Sequence, residues 1–302
     1  MRRVMLATPT LFRVPTAEYL TSVMKTMNLL AAHGMALDTC FVGGDAFVAK
    51  ARNGLIESFV KTWTTEYPSD MIMYIDDDQS WDEQAVLRAA LDPHEIIAAA
   101  IPKKQDSPPG EPQVFNNVML DTDDNGSCYV ENGLLRSTQI GSGFLSIKRS
   151  EVEKMMKAYP QRYSPGDGGV HTQHYNMFEA KIMWGYTDEM YDALVQAVEA
   201  GELDKAKEVA AQIQEGKTKL GQFWVEDLIF CKKWIALGEK IWLDPNVTVE
   251  HIGRKSWSGN FMQHLQKYAK VEVSQKPMQL ASVPSQPQPI PETLEAIEKL
   301  AA

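Results

Sequence analysis

Apolar and polar positions follow two different patterns along the first hundred residues. Arg2 to Thr8 and Met35 to Val42 are short, mostly apolar runs, the pattern of strands buried within a sheet. Thr16 to Gly34 predicts a helix between them, with threonine as its N-cap and glycine as its left-handed end. Phe47 to Tyr67 carries apolar residues at helical spacing. This alternation predicts an α/β fold with a mostly parallel central sheet and helices on both faces.

The alternation continues through one more strand, helix and strand. Met71 to Ile75 is a series of five apolar residues, which suits a strand covered on both faces. Ser80-Trp81-Asp82-Glu83 has the pattern of a capping box and predicts the start of the next helix. Glu95 to Ile101 is the following strand, which completes a β-α-β-α-β-α-β order.

The second half of the chain is less regular. Thr187 to Gly216 is rich in Ala, Glu and Lys around Gly201, which predicts a helical hairpin inserted into the sheet protein. The other predicted elements are a hairpin turn at Asp121 to Ser127, a segment from Thr138 to Ile147 that ends in a strand, a helix capped by Ser150 to Glu153, a helix from Phe223 to Leu237, and late strands at Lys240 to Leu243 and Val247 to His251.

These elements predict one large domain over residues 1–272, built from the halves 1–104 and 105–272, with the helical insertion at 187–216. Residues 273–302 are rich in Pro and Gln, a composition that cannot bury a core. We therefore expect a flexible tail there, with a short terminal helix at 293–300.

Composition narrows the class of protein. The 302 residues carry a net charge of −10, which argues against a broad basic face for nucleic acid. No apolar run is long enough to span a membrane, and the apolar start of the chain is too short to be a signal peptide. Cys40, Cys128 and Cys231 lie far apart without metal-ligand spacing, so we expect free thiols and a cytoplasmic protein.

Three adjacent carboxylates, Asp76, Asp77 and Asp78, directly follow the predicted buried strand at Met71 to Ile75. They repel one another and cannot all stay ionised at low cost without a cation. The carboxyl ends of strands are also where open α/β sheets bind ligands. Asp76 and Asp78 therefore indicate a divalent-metal site and the diphosphate that such a metal commonly accompanies. A plain loop or a helix N-cap is the alternative explanation for the same cluster.

The order of several features carries a family resemblance. Thr8-Pro9 follows the first strand, Arg52-Asn53 lies in the second predicted helix, and the Asp cluster ends a central strand. Trp224 to Asp227 then starts a late helix, with Val249-Glu250-His251 beyond it. Over roughly residues 1–255, without the insertion, this order resembles the GT-A glycosyltransferases, particularly their inverting, family-two-like branch. The resemblance implies a GT-A fold, with 1–104 as the nucleotide-sugar-binding half and 105–272 as the acceptor and catalytic half.

The resemblance also implies roles for particular residues. Asp227 would be the general base of an inverting displacement and Glu226 would orient the acceptor, or the two would exchange roles. Mn²⁺ or Mg²⁺ would offset the charge of the leaving diphosphate. The implied metal ligands are Asp76, Asp78 and His251, and the implied contacts of the nucleotide sugar are Thr8, Pro9, Arg52, Asn53, Asp76, Asp77, Arg254 and Lys255.

The resemblance leaves the substrates open. The expected donor is a UDP-sugar, and the acceptor hydroxyl would belong to a hydroxymethylated base in phage DNA, to a protein or to a saccharide. Such an enzyme would suit a phage or a bacterium, and would act in the host cytoplasm if it is phage-encoded.

Two other functions are compatible with the same sheet. A sugar nucleotidyltransferase would need a glycine-rich phosphate loop, and Thr8 to Val14 contains no glycine. A non-catalytic carbohydrate-binding module would have no reason to keep the acidic cluster, the Glu226-Asp227 pair and His251 together.

Overall fold

The computed structural model describes residues 2–116, 118–166, 173–183, 185, 187–219 and 221–268, so the predicted tail lies outside the described residues. The strands are β1 (Arg3–Thr10), β2 (Ala36–Gly43), β3 (Met71–Ile75), β4 (Gln79–Trp81), β5 (Ile96–Ala98), β6 (Met119–Leu120), β7 (Val130–Glu131), β8 (Leu134–Gln139), β9 (Phe144–Lys148), β10 (Arg162–Tyr163), β11 (His174–Tyr175), β12 (Lys181–Met183), β13 (Gln222–Trp224), β14 (Ile241–Leu243), β15 (Thr248–Ile252) and β16 (Ser256–Asn260). The helices are α1 (Ala17–Ala32), α2 (Val48–Thr62), α3 (Glu83–Leu91), α4 (Arg149–Ala158), α5 (Asp188–Glu199), α6 (Leu203–Thr218), α7 (Glu226–Ala236) and α8 (Phe261–Tyr268).

The central sheet has the strand order β2-β1-β3-β9-β5-β14-β8-β6, with β7 paired to β8. Five of these strands, β2, β1, β3, β5 and β14, run in the same direction. β9 lies antiparallel between β3 and β5, and β8 is antiparallel to β14. The predicted α/β class is confirmed, and the antiparallel β9 is the feature that the alternating pattern did not predict.

Helices cover both faces of the sheet, as predicted. Successive residues of a strand point to opposite faces. On β3, Ile72 and Tyr74 pack in a core with α2, α4 and α7. Met73 and Ile75 pack in a second core with α1 and α3. All four side chains are fully buried, which explains why this strand is an unbroken apolar run.

Helix α1 has the predicted ends. The Oγ1 of Thr16 accepts a hydrogen bond from the N–H of Tyr19 at 3.2 Å, and Gly34 has a φ of +68°. Both signals are local, because each depends only on residues within one turn of the helix end.

Two other predicted helix caps are wrong. Ser80 lies in β4, and its hydroxyl donates to Oε2 of Glu250 on the neighbouring β15 at 2.8 Å, so the helix begins only at Glu83. Ser150 lies inside α4, which begins at Arg149. At Ser80 the pairing of β4 with β15 overrides the local capping pattern, whereas α4 starts directly after β9, two residues before the position that the pattern predicts.

The predicted helical hairpin is present as α5 and α6, joined around Gly201, whose φ is +72°. It extends from a two-stranded antiparallel ribbon, in which Met183 of β12 pairs with Gln222 of β13. The helix predicted from Phe223 therefore begins three residues later, at Glu226, because Gln222–Trp224 is used for the ribbon.

A smaller sheet, β16-β15-β4, stands against the carboxyl edge of the central sheet. Strand β4 follows the Asp cluster directly, and in its pairing with β15 Gln79 lies opposite His251. Among the described residues, none of the helices has the length and apolarity needed to cross a bilayer.

Candidate active site

The acidic turn lies at the carboxyl end of β3 and is held by backbone contacts. The N–H of Asp76 donates to the carbonyl of Gly143 at 3.2 Å, and the carbonyl of Asp77 accepts from the N–H of Thr16 at 3.0 Å. The N–H of Ile252 donates to the carbonyl of Asp78 at 2.7 Å. Because three separate parts of the chain fix this turn, its three carboxylates have defined positions.

Arg52 joins two carboxylates that are far apart in the sequence. One of its terminal nitrogens donates to Oδ1 of Asp76 at 2.9 Å and the other to Oε1 of Glu226 at 3.0 Å. The guanidinium of Arg52 is buried, and the backbone carbonyl of the same residue accepts a hydrogen bond from the hydroxyl of Tyr74 at 2.9 Å. Arg52 therefore connects α2, the end of β3 and the first turn of α7.

A second group of charges surrounds Asp78. The Nζ of Lys104 lies 2.5 Å from Oδ2 of Asp78, and Nε2 of His251 lies 3.5 Å from Oδ1. The Nδ1 of His251 is 2.8 Å from the carbonyl oxygen of Pro102, which can only accept, so Nδ1 donates a hydrogen bond there. The imidazole is thereby oriented with Nε2 toward the carboxylate.

The protein distributes negative charge unevenly over the cluster. Burial raises the pKa of Asp76, and Arg52 opposes this effect only in part. Burial, together with the charges of Asp78 and Asp76, also raises the pKa of Asp77. At Asp78 burial is outweighed by hydrogen bonds from His251 and Lys104, so its pKa is lowered. Asp78 is therefore the carboxylate of the three that stays ionised most easily.

Two adjoining cavities open at this edge of the sheet. An acidic cleft of about 250 Å³ is lined by the Asp cluster, His251, Pro9 and Thr10, together with Leu11, Asp45, Ala46, Val48 and Ala51. A larger cavity of about 580 Å³ is lined by Thr10, Arg13, Pro15, Leu20, Phe41 and Gly43. Thr10 borders both, so a polar compartment and a mostly apolar one lie side by side.

The other residues expected at the site lie at different depths. The hydroxyl of Thr8 is fully buried against that of Tyr19, at 2.5 Å, whereas Pro9 faces the cleft. The amide of Asn53 is buried, and it donates to the carbonyl of Phe178 and accepts from the N–H groups of Met177 and Phe178. Asn53 therefore anchors the segment that follows β11.

Arg254 and Lys255 lie in the exposed turn between β15 and β16, and Lys255 forms an ion pair with Asp106. A Cβ placed on Gly253 would lie 3.3 Å from the Lys104 side chain, so this turn is a neighbour of the Asp78 cluster.

The Glu226-Asp227 pair occupies the first turn of α7, as predicted. Glu226 contacts Arg52, whereas Asp227 is buried and its Oδ1 accepts the N–H of Leu228 at 2.7 Å. The two neighbouring carboxylates thus have different partners.

Several residues of the site gave little signal in the sequence. Lys104 is one of two adjacent lysines in a loop, and the side chains of such lysines are usually exposed to solvent. Gly143 is required by close packing, because a Cβ there would lie 2.6 Å from Oδ2 of Asp76 and from Nε2 of Gln79. Gln79 is fully buried, and neither of its amide atoms has a partner among the described residues. Only the fold brings these side chains to the cluster.

The donor set fits a divalent cation that is bound partly by substrate. Within the described residues, no group of three or more His, Cys, Asp or Glu side chains is arranged to hold a metal. Asp78 and the oriented Nε2 of His251 nevertheless face each other, while Asp76 is engaged by Arg52. Two protein ligands are sufficient for Mg²⁺-type sites that take their remaining ligands from phosphate and water.

Comparison with known proteins finds likenesses of structure only. No family model matches it, and no curated protein matches it. Its structure is similar to that of A197 from STIV, with 12% identity, a TM-score of 0.41, and coverage of 84% of this chain and 86% of that chain. It is also similar to a glycosyltransferase involved in the glycosylation of the major capsid of PBCV-1, with 8% identity, a TM-score of 0.29, and coverage of 57% and 71%. These weak likenesses identify neither a family nor an activity.

Proposed function

We propose that the chain is a metal-dependent glycosyltransferase of the GT-A type, which moves a sugar from a nucleotide-diphosphate sugar to an acceptor hydroxyl. The observation that carries the proposal is the contact of Asp78 with His251 and Lys104 at the acidic cleft, in which the neighbouring Asp76 is joined through Arg52 to Glu226. Paired negative and positive charges of this kind suit a cation together with a phosphate group.

The two adjoining cavities support a nucleotide donor. The apolar cavity beside Leu20 and Phe41 has a suitable lining for an aromatic base, and the acidic cleft for a metal-bound diphosphate. We propose a UDP-sugar as donor. The acceptor hydroxyl, on a modified DNA base, a protein or a saccharide, is not specified by these cavities.

A bound Mn²⁺ or Mg²⁺ would act as a Lewis acid on the diphosphate as its bond to the sugar breaks. Asp78 and His251 would hold the cation. Arg254 and Lys255 would add positive charge near the leaving phosphates from the turn beside Lys104.

In this proposal one carboxylate of the Glu226-Asp227 pair accepts the proton of the acceptor hydroxyl. Since Glu226 is engaged by Arg52, it suits an orienting role, and we assign proton acceptance to Asp227. Attack from the side opposite the diphosphate would invert the anomeric carbon. Arg52 would keep the orienting carboxylate at a fixed distance from the acidic turn.

The proposal is tested by donor hydrolysis, because water can replace the acceptor. Purified protein is incubated with a panel of UDP- and GDP-sugars and Mn²⁺, and nucleoside diphosphate release is measured. We expect slow release from one donor, its loss in excess EDTA and its recovery with Mn²⁺. Asp78→Ala should reduce release to background, whereas Asp124→Ala, a carboxylate in a distant exposed turn, should not.

Two results would count against the proposal. Release that continues undiminished in excess EDTA would exclude the metal. If no nucleotide sugar is cleaved and none raises the melting temperature, the donor assignment is wrong, because a ligand at 100 times its Kd stabilises by about 2.7 kcal/mol.

A further inference from the structure

Lys104 occupies the place beside Asp78 that a metal cation would need. Its ammonium contacts Oδ2 of Asp78, while His251 faces Oδ1 of the same carboxylate. Both side chains of the lysine–aspartate pair are about one-third exposed, 34% and 32%. The pair is thus open to water and can exchange partners.

The backbone on both sides of Lys104 is held by hydrogen bonds, whereas its side chain is partly exposed to water. The side-chain amide of Gln113 donates to the carbonyl of Lys103 at 2.9 Å and to that of Gln105 at 2.8 Å, so both neighbours of Lys104 are held. The stem of Lys104 passes beside Gly253, which has no side chain to block it. The ammonium can therefore leave Asp78 by rotation of its own side chain, without movement of the loop.

We propose that Lys104 is an internal counter-ion of the metal site, which neutralises Asp78 in the empty enzyme and is displaced when a divalent cation binds. This inference rests on the proposed function, since it takes the metal site from there. Lys104 is then a positioning residue: it keeps the acidic turn compact before the metal arrives, and it sets the metal concentration at which the site fills.

Charge repulsion gives the size of the effect. Mn²⁺ must displace the ammonium from Asp78 and is still repelled by it afterwards, which together amount to about a tenfold change in Kd, or about 1.4 kcal/mol. Removing the lysine charge should therefore tighten Mn²⁺ binding about tenfold at low ionic strength, and less at high salt. A lysine that only supported the loop would produce no such gain in affinity.

The test is calorimetric titration of the full chain with Mn²⁺, without nucleotide. Lys104→Met keeps the apolar stem and removes the charge, so it should bind Mn²⁺ about tenfold more tightly than wild type. Lys104→Arg keeps the charge and should bind like wild type. Lys103→Met is the matched control, because within the described residues the Lys103 side chain makes no ion pair, and it too should bind like wild type.

The outcomes are distinguishable. Tighter binding by Lys104→Met alone supports the counter-ion role. Equal or weaker binding by Lys104→Met, with wild-type binding intact, overturns that role and leaves the proposed function standing. Failure of Mn²⁺ to bind any of the four proteins without nucleotide overturns the counter-ion role, whereas the metal-dependent function, in which the substrate supplies further ligands, is judged separately by donor hydrolysis with and without EDTA.

Discussion

At the scale of single residues, Arg52 determines the geometry of the candidate site. A buried guanidinium is stable only when its charge is paired, and here two carboxylates from different elements share it. Removing it would leave Asp76 and Glu226 without their shared partner. The same bridge fixes Glu226 in one orientation and so separates its role from that of Asp227.

The different roles of Glu226 and Asp227 can be tested by isosteric substitution. Asp227→Asn keeps the size of the side chain but cannot accept a proton, so turnover should fall by about 10²–10⁴ with donor affinity nearly unchanged. Glu226→Gln keeps an oxygen for Arg52 and should lose less turnover. Turnover, donor affinity and melting temperature are measured on each purified variant.

A purely structural role for the pair predicts a different result. Each substitution would then cost about 0.3–1 kcal/mol of stability through the helix dipole, with turnover per folded molecule intact. If Glu226→Gln is inactive and Asp227→Asn is not, the two roles are exchanged. Normal turnover in both variants would remove the pair from the mechanism.

At the scale of elements, Gly→Ala substitutions at two positions should change stability in opposite directions, one through close packing and the other through helix propensity. Gly143, in the turn before β9, has no room for a Cβ, so Gly143→Ala should destabilise the fold by about 1–3 kcal/mol. Gly54 lies within α2, where the nearest atom to a new Cβ is 3.4 Å away. Gly54→Ala should stabilise by about 0.5–1 kcal/mol.

Urea unfolding checks both glycine variants, since the midpoint shifts with stability while the slope stays constant. Opposite shifts are expected. Two shifts in the same direction would show that the steric argument at Gly143, or the helical one at Gly54, is wrong. Displacement of Asp76 should also lower the donor hydrolysis of Gly143→Ala, but not that of Gly54→Ala.

Elements were predictable from the sequence where their signals are local. The caps of α1 and the unbroken apolar run of β3 depend on adjacent residues, and the structure confirms both. Ser80 was misassigned because its strand is stabilised by β15, some 170 positions away. The hairpin at Asn132-Gly133 carries a local signal that was missed, with positive φ at both residues.

The candidate site was predictable to a similar degree. Asp78 could be placed at the carboxyl edge of the sheet from the order of elements, whereas His251 was expected beside it only through the family resemblance. The contacts of Lys104 and Gly143 could not, because they depend on how the loop after Pro102 and the turn before β9 pack against the acidic turn. No periodic pattern of apolar and polar residues predicts such contacts.

At the scale of the whole molecule, the central sheet and the helical hairpin differ in how they are stabilised. The sheet is covered by two extensive cores, one on each face. Among the described residues, α5 and α6 pack mainly against each other, and several of their apolar side chains, including Val195, Val198 and Leu203, are exposed. The hairpin is therefore attached to the body chiefly through the β12–β13 ribbon.

This attachment predicts that the hairpin can be removed. Met183 and Gln222 form the last pair of the ribbon before the hairpin, so replacing residues 184–221 by Asn-Gly should close the ribbon with a two-residue turn. We expect the melting temperature of the body to change by less than about 3 °C, the equivalent of about 1 kcal/mol at this size. Donor hydrolysis should persist, because the cleft residues lie outside the replaced segment.

Gly201→Ala serves as the control: it strains only the turn of the hairpin, and should leave the thermal transition of the body unchanged. Loss of cooperative unfolding in the shortened chain would show instead that the hairpin is part of the core that supports the site.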